Sequence, residues 1–142
     1  MIQLPLQIIE LEKDNFHLLI EGVFNDDTPT YWIIDTGASK SVLDLNLSPY
    51  YEIIDSDNEE DYHSAGINQG MMETSVGKMV SLKLGELEII NQKVALIDLN
   101  HVNEIYGKYT SSRIAGLLGG DILMHYKCRI DYGSKTIQFQ FP

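Results

Sequence analysis

The chain of 142 residues contains a single cysteine, Cys128, so no disulfide can form within it, and nothing suggests a cystine-stapled secreted scaffold. Basic residues are few. Ten Lys and Arg stand against 21 Asp and Glu, a net charge of -11. A nucleic-acid surface needs clustered Lys and Arg to meet phosphates, so that class of partner is excluded. The four histidines, His17, His63, His101 and His125, are scattered singly. With no His/Cys cluster at ligand spacing, no metal is expected. Apolar runs are short, none near the roughly 20 residues of a membrane-spanning helix. The opening Met1-Ile2-Gln3-Leu4-Pro5-Leu6 lacks the basic flank and apolar stretch of a signal peptide. The expectation is a cytoplasmic protein that uses no membrane.

Helical periodicity is scarce as well, and alternation takes its place. Hydrophobic residues make up 44% of the chain, enough for one core, and one domain over residues 1–142 is expected. Leu4, Leu6 and Ile8 alternate with Pro5 and Gln7, the proline marking an edge or a strand start. Residues 16–24 read as a strand turning at Asn25-Asp26-Asp27. Tyr31-Trp32-Ile33-Ile34 reads as a short apolar strand. Val80, Leu82 and Leu84 lead to Gly85-Glu86, a two-residue hairpin turn with glycine first, the type II′ signal. Leu87, Ile89 and residues 94–97 continue the pattern. Residues 100–112 are polar and aperiodic, and read as a connecting loop with at most one helical turn. Residues 114–119 form a buried strand closing on glycines, and residues 121–126 a short helix. A last strand carries Ile137, Phe139 and Phe141 on one face. The acidic run at 55–61 reads as a solvated loop. The fold class expected is mainly β, of many short strands.

Chemistry concentrates at Ile33-Ile34-Asp35-Thr36-Gly37-Ala38. An apolar strand delivers a carboxylate to its end, where the chain must turn. Gly37 is expected to permit that turn and a close backbone approach to a ligand. Such an acid is a metal ligand, a cap, or half of a paired-carboxylate device, and the missing ligand cluster argues against the first.

Asp35-Thr36-Gly37-Ala38-Ser39-Lys40-Ser41-Val42-Leu43-Asp44 resembles the active-site segment of retroviral aspartic proteases, the retropepsins. Ile114-Ala115-Gly116-Leu117-Leu118-Gly119-Gly120-Asp121-Ile122-Leu123 resembles their second hydrophobic-glycine element. Ile130-Asp131-Tyr132-Gly133 with Lys135-Thr136-Ile137 is similar to the tail of bacterial members. The likeness runs from about Ile20 to the C-terminus. It implies a retropepsin-like half-barrel with one short helix near the C-terminus and a flap hairpin, and an aspartic endopeptidase without cofactor. It implies Asp35 as catalytic carboxylate, and Thr36, Gly37, Ala38 and Ser39 as its support. Ala65, Gly66, Ile67 and Asn68 would form the flap over a peptide or protein substrate, with Leu117, Leu118 and Gly119 as the second element. Ser39 and Lys40 depart from the acidic residues that retroviral enzymes tend to have there. Ala38 stands where pepsin-like relatives usually have serine, which implies activity closer to neutral pH.

One Asp-Thr-Gly motif is present, while water activation of this kind needs two carboxylates. The resemblance therefore implies a homodimer joining Asp35 to its twofold mate, to which the strand of Ile137, Phe139 and Phe141 could contribute. The alternative is a catalytically silent dimeric peptide-binding or regulatory module on the same fold. A phosphate cradle at residues 116–120 lacks its signature lysine.

Overall fold

A computed structural model describes residues 1–54 and 75–142. The expected flap residues Ala65, Gly66, Ile67 and Asn68, and the acidic run 55–61, lie outside the described residues.

The described chain is mainly β. Its strands are β1 (Ile2–Pro5), β2 (Gln7–Glu12), β3 (Asn15–Phe24), β4 (Pro29–Ile34), β5 (Val42–Asp44), β6 (Tyr51–Ile53), β7 (Ser75–Leu84), β8 (Leu87–Ile97), β9 (Ile114–Leu118), β10 (Arg129–Asp131) and β11 (Thr136–Phe139). Two short helices join them, α1 (Asn100–Tyr106) and α2 (Gly120–His125), with a 3-10 turn at Ser48–Tyr50. The large sheet runs β2-β3-β4-β9-β5-β8-β7-β6. An additional β3–β7 pairing, Val23 with Lys83 and Phe24 with Leu82, closes six of these strands into a barrel.

Period-two alternation sorts the side chains between the barrel's two faces. Leu18, Ile20 and Phe24 of β3, with Trp32 and Ile34 of β4, belong to the main core. Leu19 and Ile33, the residues between them, face outward, where Tyr106 and Val102 of α1 cover them. Buried Trp32 donates from Nε1 to Thr30 Oγ1 (3.0 Å), which donates to the Gly22 carbonyl (2.7 Å), so the largest core side chain is satisfied.

The turn at Gly85 is as expected: Leu84 pairs with Leu87, Gly85 has φ +61°, and Glu86 is not left-handed. Residues 100–112 differ from expectation. They hold a helix of seven residues, longer than the single turn expected within a loop, because Val102 and Tyr106, one turn apart, have an apolar surface to cover. The N-terminal stretch adds two strands. β1 pairs with one edge of β11 and β10 with the other. The terminal strand is therefore the centre of a three-stranded sheet, with Ile137 and Phe139 fully buried in their own chain's core and Phe141 exposed beyond its end. β11 has no open edge over residues 136–138 to give to a dimer sheet. Among the described residues, no helix is long and apolar enough to cross a membrane.

Candidate active site

β9 lies between β4 and β5, parallel to the first and antiparallel to the second. The chain leaving β4 must therefore arch over the end of β9 before it enters β5, and Asp35 begins that arch. Backbone bonds tie the crossing down. Asp35 N–H donates to the Leu118 carbonyl (3.0 Å), Ala38 N–H to that of Asp35 (3.2 Å), and Gly120 N–H to that of Ala38 (2.7 Å).

Ser41, fully buried, fastens the far end. Its N–H and hydroxyl donate to the two oxygens of Asp121 (3.0 and 2.7 Å), and its Oγ accepts from Gly119 N–H (2.9 Å). Asp121 Oδ1 also accepts from the next residue's N–H, that of Ile122 (2.9 Å), in the first turn of its helix. Gly119 is required here. A Cβ would lie 2.7 Å from the Ala38 carbonyl oxygen and 2.9 Å from Lys40 backbone, atoms that cannot yield cheaply.

The sequence motif thus divides by role. Leu118 is core, Leu117 packs half-buried against the outer clusters, and Gly119 gives the two loops their close approach. Thr36 and Gly37 are exposed, Asp35 and Ala38 half-buried, and Ser39 exposed. Asp35 Oδ1 accepts from Gly37 N–H (3.0 Å), and among the described residues Asp35 forms no ion pair.

The reading of Gly37 as a steric requirement of the turn does not hold. Its φ is not left-handed, and a Cβ there would meet only Asp35 Oδ1, at 3.4 Å. Nothing within the described chain demands glycine at this place.

Asp35 and Thr36 line a cleft of about 430 Å³ together with Phe16, His17, Leu18, Ile33, Ile34, Ile130 and Tyr132. Sequence reading missed these walls, because β3 and the segment after β10 are distant in the chain. Both walls carry an exposed aromatic side chain, Phe16 and Tyr132. His17 Nδ1 is bonded to the Tyr106 hydroxyl at 2.8 Å, the rings meeting edge to face. Among the described residues, its buried Nε2 has no partner. Burial first, and the nearby Asp35 charge second, push the Tyr106 phenol above its ordinary value.

Asp44, nine residues from Asp35 in chain order, has a different fate. Completely buried, it accepts from Asn46 N–H (3.1 Å), Asn46 Nδ2 (2.9 Å), Leu99 N–H (3.1 Å) and Arg113 Nε (3.0 Å), and from Arg113 Nη2. It fixes the junction of β5, β8 and α1. Among the described residues, no cluster of His, Cys, Asp and Glu could hold a metal ion.

The sequence profile of the aspartyl protease family matches residues 20–122, most of the chain, and the chain belongs to that family. Among solved structures it is similar to a retropepsin-like aspartic protease from Rickettsia conorii (20% identity, 96% of this chain and 86% of that one, TM-score 0.47). It is also similar to the retroviral protease-like domain of Ddi1 from Leishmania major (14% identity, 87% of each chain, TM-score 0.53). The second likeness shows the fold. No curated protein matches the chain at a significant level. By family the chain is an aspartyl protease family member, and its architecture is the retropepsin-like fold.

Proposed function

We propose that residues 1–142 form one catalytic unit, an endopeptidase that works as a homodimer and cuts peptide bonds with water activated between Asp35 and the Asp35 of the partner subunit. The observation that carries this reading is that the Asp35 carboxylate, in no ion pair among the described residues, is presented at a cleft by a loop clamped from behind. A carboxylate held for structure is saturated like that of Asp44; this one is not.

Two carboxylates about 3 Å apart cannot both ionise, and in this enzyme class the pair shares one proton. The ionised member takes a proton from the bound water as that water attacks the scissile carbonyl. The neutral member donates its proton to the carbonyl oxygen. The tetrahedral diol then collapses with proton transfer to the leaving amine. Neither covalent intermediate nor cofactor is needed. Gly37, for which the described chain has no steric need, leaves room for a peptide or partner backbone to approach Asp35. Thr36, exposed beside it, is suited to a hydrogen bond across the twofold axis.

Assembly has to overcome charge. Each subunit carries -11, so pairing needs an apolar seam, and mild acid favours it. With β11 enclosed, the open edges of β1 and β10 are the ones the small sheet can offer. The test joins a peptide-library cleavage assay over a range of pH, on wild type and Asp35→Asn, to mass measurement in solution. Cleavage by wild type alone, from a species of twice the chain mass, is the expected result. Cleavage that survives the substitution, or that comes from a strict monomer, overturns the shared-dyad mechanism. Peptide binding without cleavage would favour the silent binding module.

A further inference from the structure

A second cleft, of about 400 Å³, adjoins the one that holds Asp35. The two share one wall, His17, while its neighbour Phe16 faces the first and Asn15 the second. The shared ring is fixed in place by its bond to the Tyr106 hydroxyl, so the divider is rigid rather than a loose rim. The second cleft is built by two additions to the barrel. One is the β2–β3 hairpin, which supplies Leu11 and Glu12. The other is the region of α1, which supplies Glu104, Ile105, Lys108 and Tyr109. The hairpin residues precede residue 20, where the match to the protease family begins.

Its chemistry is mixed in a specific way. Leu11, Ile105 and Tyr109 give an apolar floor, and Ile105 and Tyr109 remain 45% and 41% exposed. Glu12 and Glu104 outnumber Lys108 at the rim, leaving a net negative charge. A long apolar stem ending in a cation fits such a site: the methylenes cover the floor while the head meets the carboxylates. An extended peptide advances about 3.3 Å per residue. A substrate of eight residues is therefore roughly 26 Å long by the same rise. The second cleft, past His17, is one continuation of the first.

We propose that the second cleft is a remote subsite of the peptide groove that takes a lysine or arginine side chain of the substrate, several residues from the bond that is cut. This rests on the peptidase reading of Asp35 and names a preference within it.

The experiment compares an apolar hexapeptide that the protein cleaves with the same peptide extended by four residues. The extension carries one lysine, or in its twin one glutamate, at each position in turn. At one position the lysine form is cleaved about tenfold better in kcat/KM, the effect of one partly screened charge pair plus a buried stem. Charge reversal of two exposed rim residues together, Glu12→Lys with Glu104→Lys, erases or inverts that preference. Ile105→Ala lowers the gain from lysine. An extension without effect, or a lysine preference that survives charge reversal, overturns the inference while leaving the peptidase reading intact. Should no peptide be cleaved, calorimetry with a statine-type peptide carrying the same extensions decides. A lysine preference that responds to the reversal supports the remote subsite and counts against catalysis alone. Binding without preference, or no binding, overturns it.

Discussion

Ser41 donates its hydroxyl to Asp121 at 2.7 Å, although 80 residues separate them, and the same oxygen accepts from Gly119 N–H. This contact joins the two loops on which Asp35 depends. Ser41→Ala removes one donor and one acceptor from a buried place, at a cost of about 1–3 kcal/mol. Asp121→Asn keeps the shape but must turn an amide N–H₂ toward Ser41, and should cost about 1 kcal/mol. Asp121→Ala leaves Ser41 N–H and hydroxyl without acceptors and should be the worst of the three. Urea unfolding gives this order. If loop position matters to Asp35, kcat falls in the same order.

Asp44 and Arg113 predict a second ranking. Arg113→Met leaves a fully buried carboxylate with only neutral donors. Breaking a buried pair costs about 3–5 kcal/mol, less where the cation is partly exposed as here, so about 2–3 kcal/mol is expected. Asp44→Asn with Arg113→Met removes both charges, and should recover part of that loss in a double-mutant cycle. A double mutant that merely adds the two single costs would show the pair to be uncoupled.

Much of this was legible in the sequence because alternation reports burial on both faces. Residues 16–24 and 31–34 were readable as strands from their apolar content, and Gly85 named its own turn. The helix at Asn100–Tyr106 was legible only as a single turn within a loop, because much of its cause is tertiary. Its polar first turn is held through Asp98, which accepts from Asn100 N–H, and through Asn103, which bonds the Leu99 and Ile114 carbonyls. Val102, Ile105 and Tyr106 do carry helical spacing, and that was the overlooked signal. Of the candidate site, the loop at 35–41 and the strand at 114–118 were legible as motifs. The clamp between Ser41 and Asp121, and the walls from β3 and the segment after β10, were not. Those depend on which distant segments the barrel brings together.

Cys128 sits between Lys127 and Arg129 in sequence, a setting that suggests a reactive thiolate. Burial instead pushes its thiol from 9.0 up to about 11. At pH 8 the thiolate fraction is then roughly a hundredfold below that of the unfolded chain. Alkylation by iodoacetamide should be slow in the native protein and rapid in urea, and should speed up as pH rises toward 11. Rapid native labelling at pH 8 would contradict the buried position.

Two glycines should respond to alanine in opposite ways. At Gly116 a Cβ would lie 2.0 Å from the Val42 carbonyl oxygen and 2.5 Å from Trp32 Cζ3, both fixed parts of the core. Gly116→Ala should therefore cost more than about 4 kcal/mol or prevent folding, as a severe overpacking defect does. At Gly37 a Cβ meets nothing closer than 3.4 Å, and φ lies outside the left-handed region. Gly37→Ala should leave Tm within a few degrees of wild type, since an exposed site free of strain changes stability by about 0.5 kcal/mol or less. Any loss it causes then has to come from outside the folded chain, from a peptide or a partner subunit that must come close to Asp35. The expected result is a folded protein with at least a tenfold loss in kcat/KM or a weakened dimer. A variant as active and as dimeric as wild type would show that nothing approaches Asp35 over this residue.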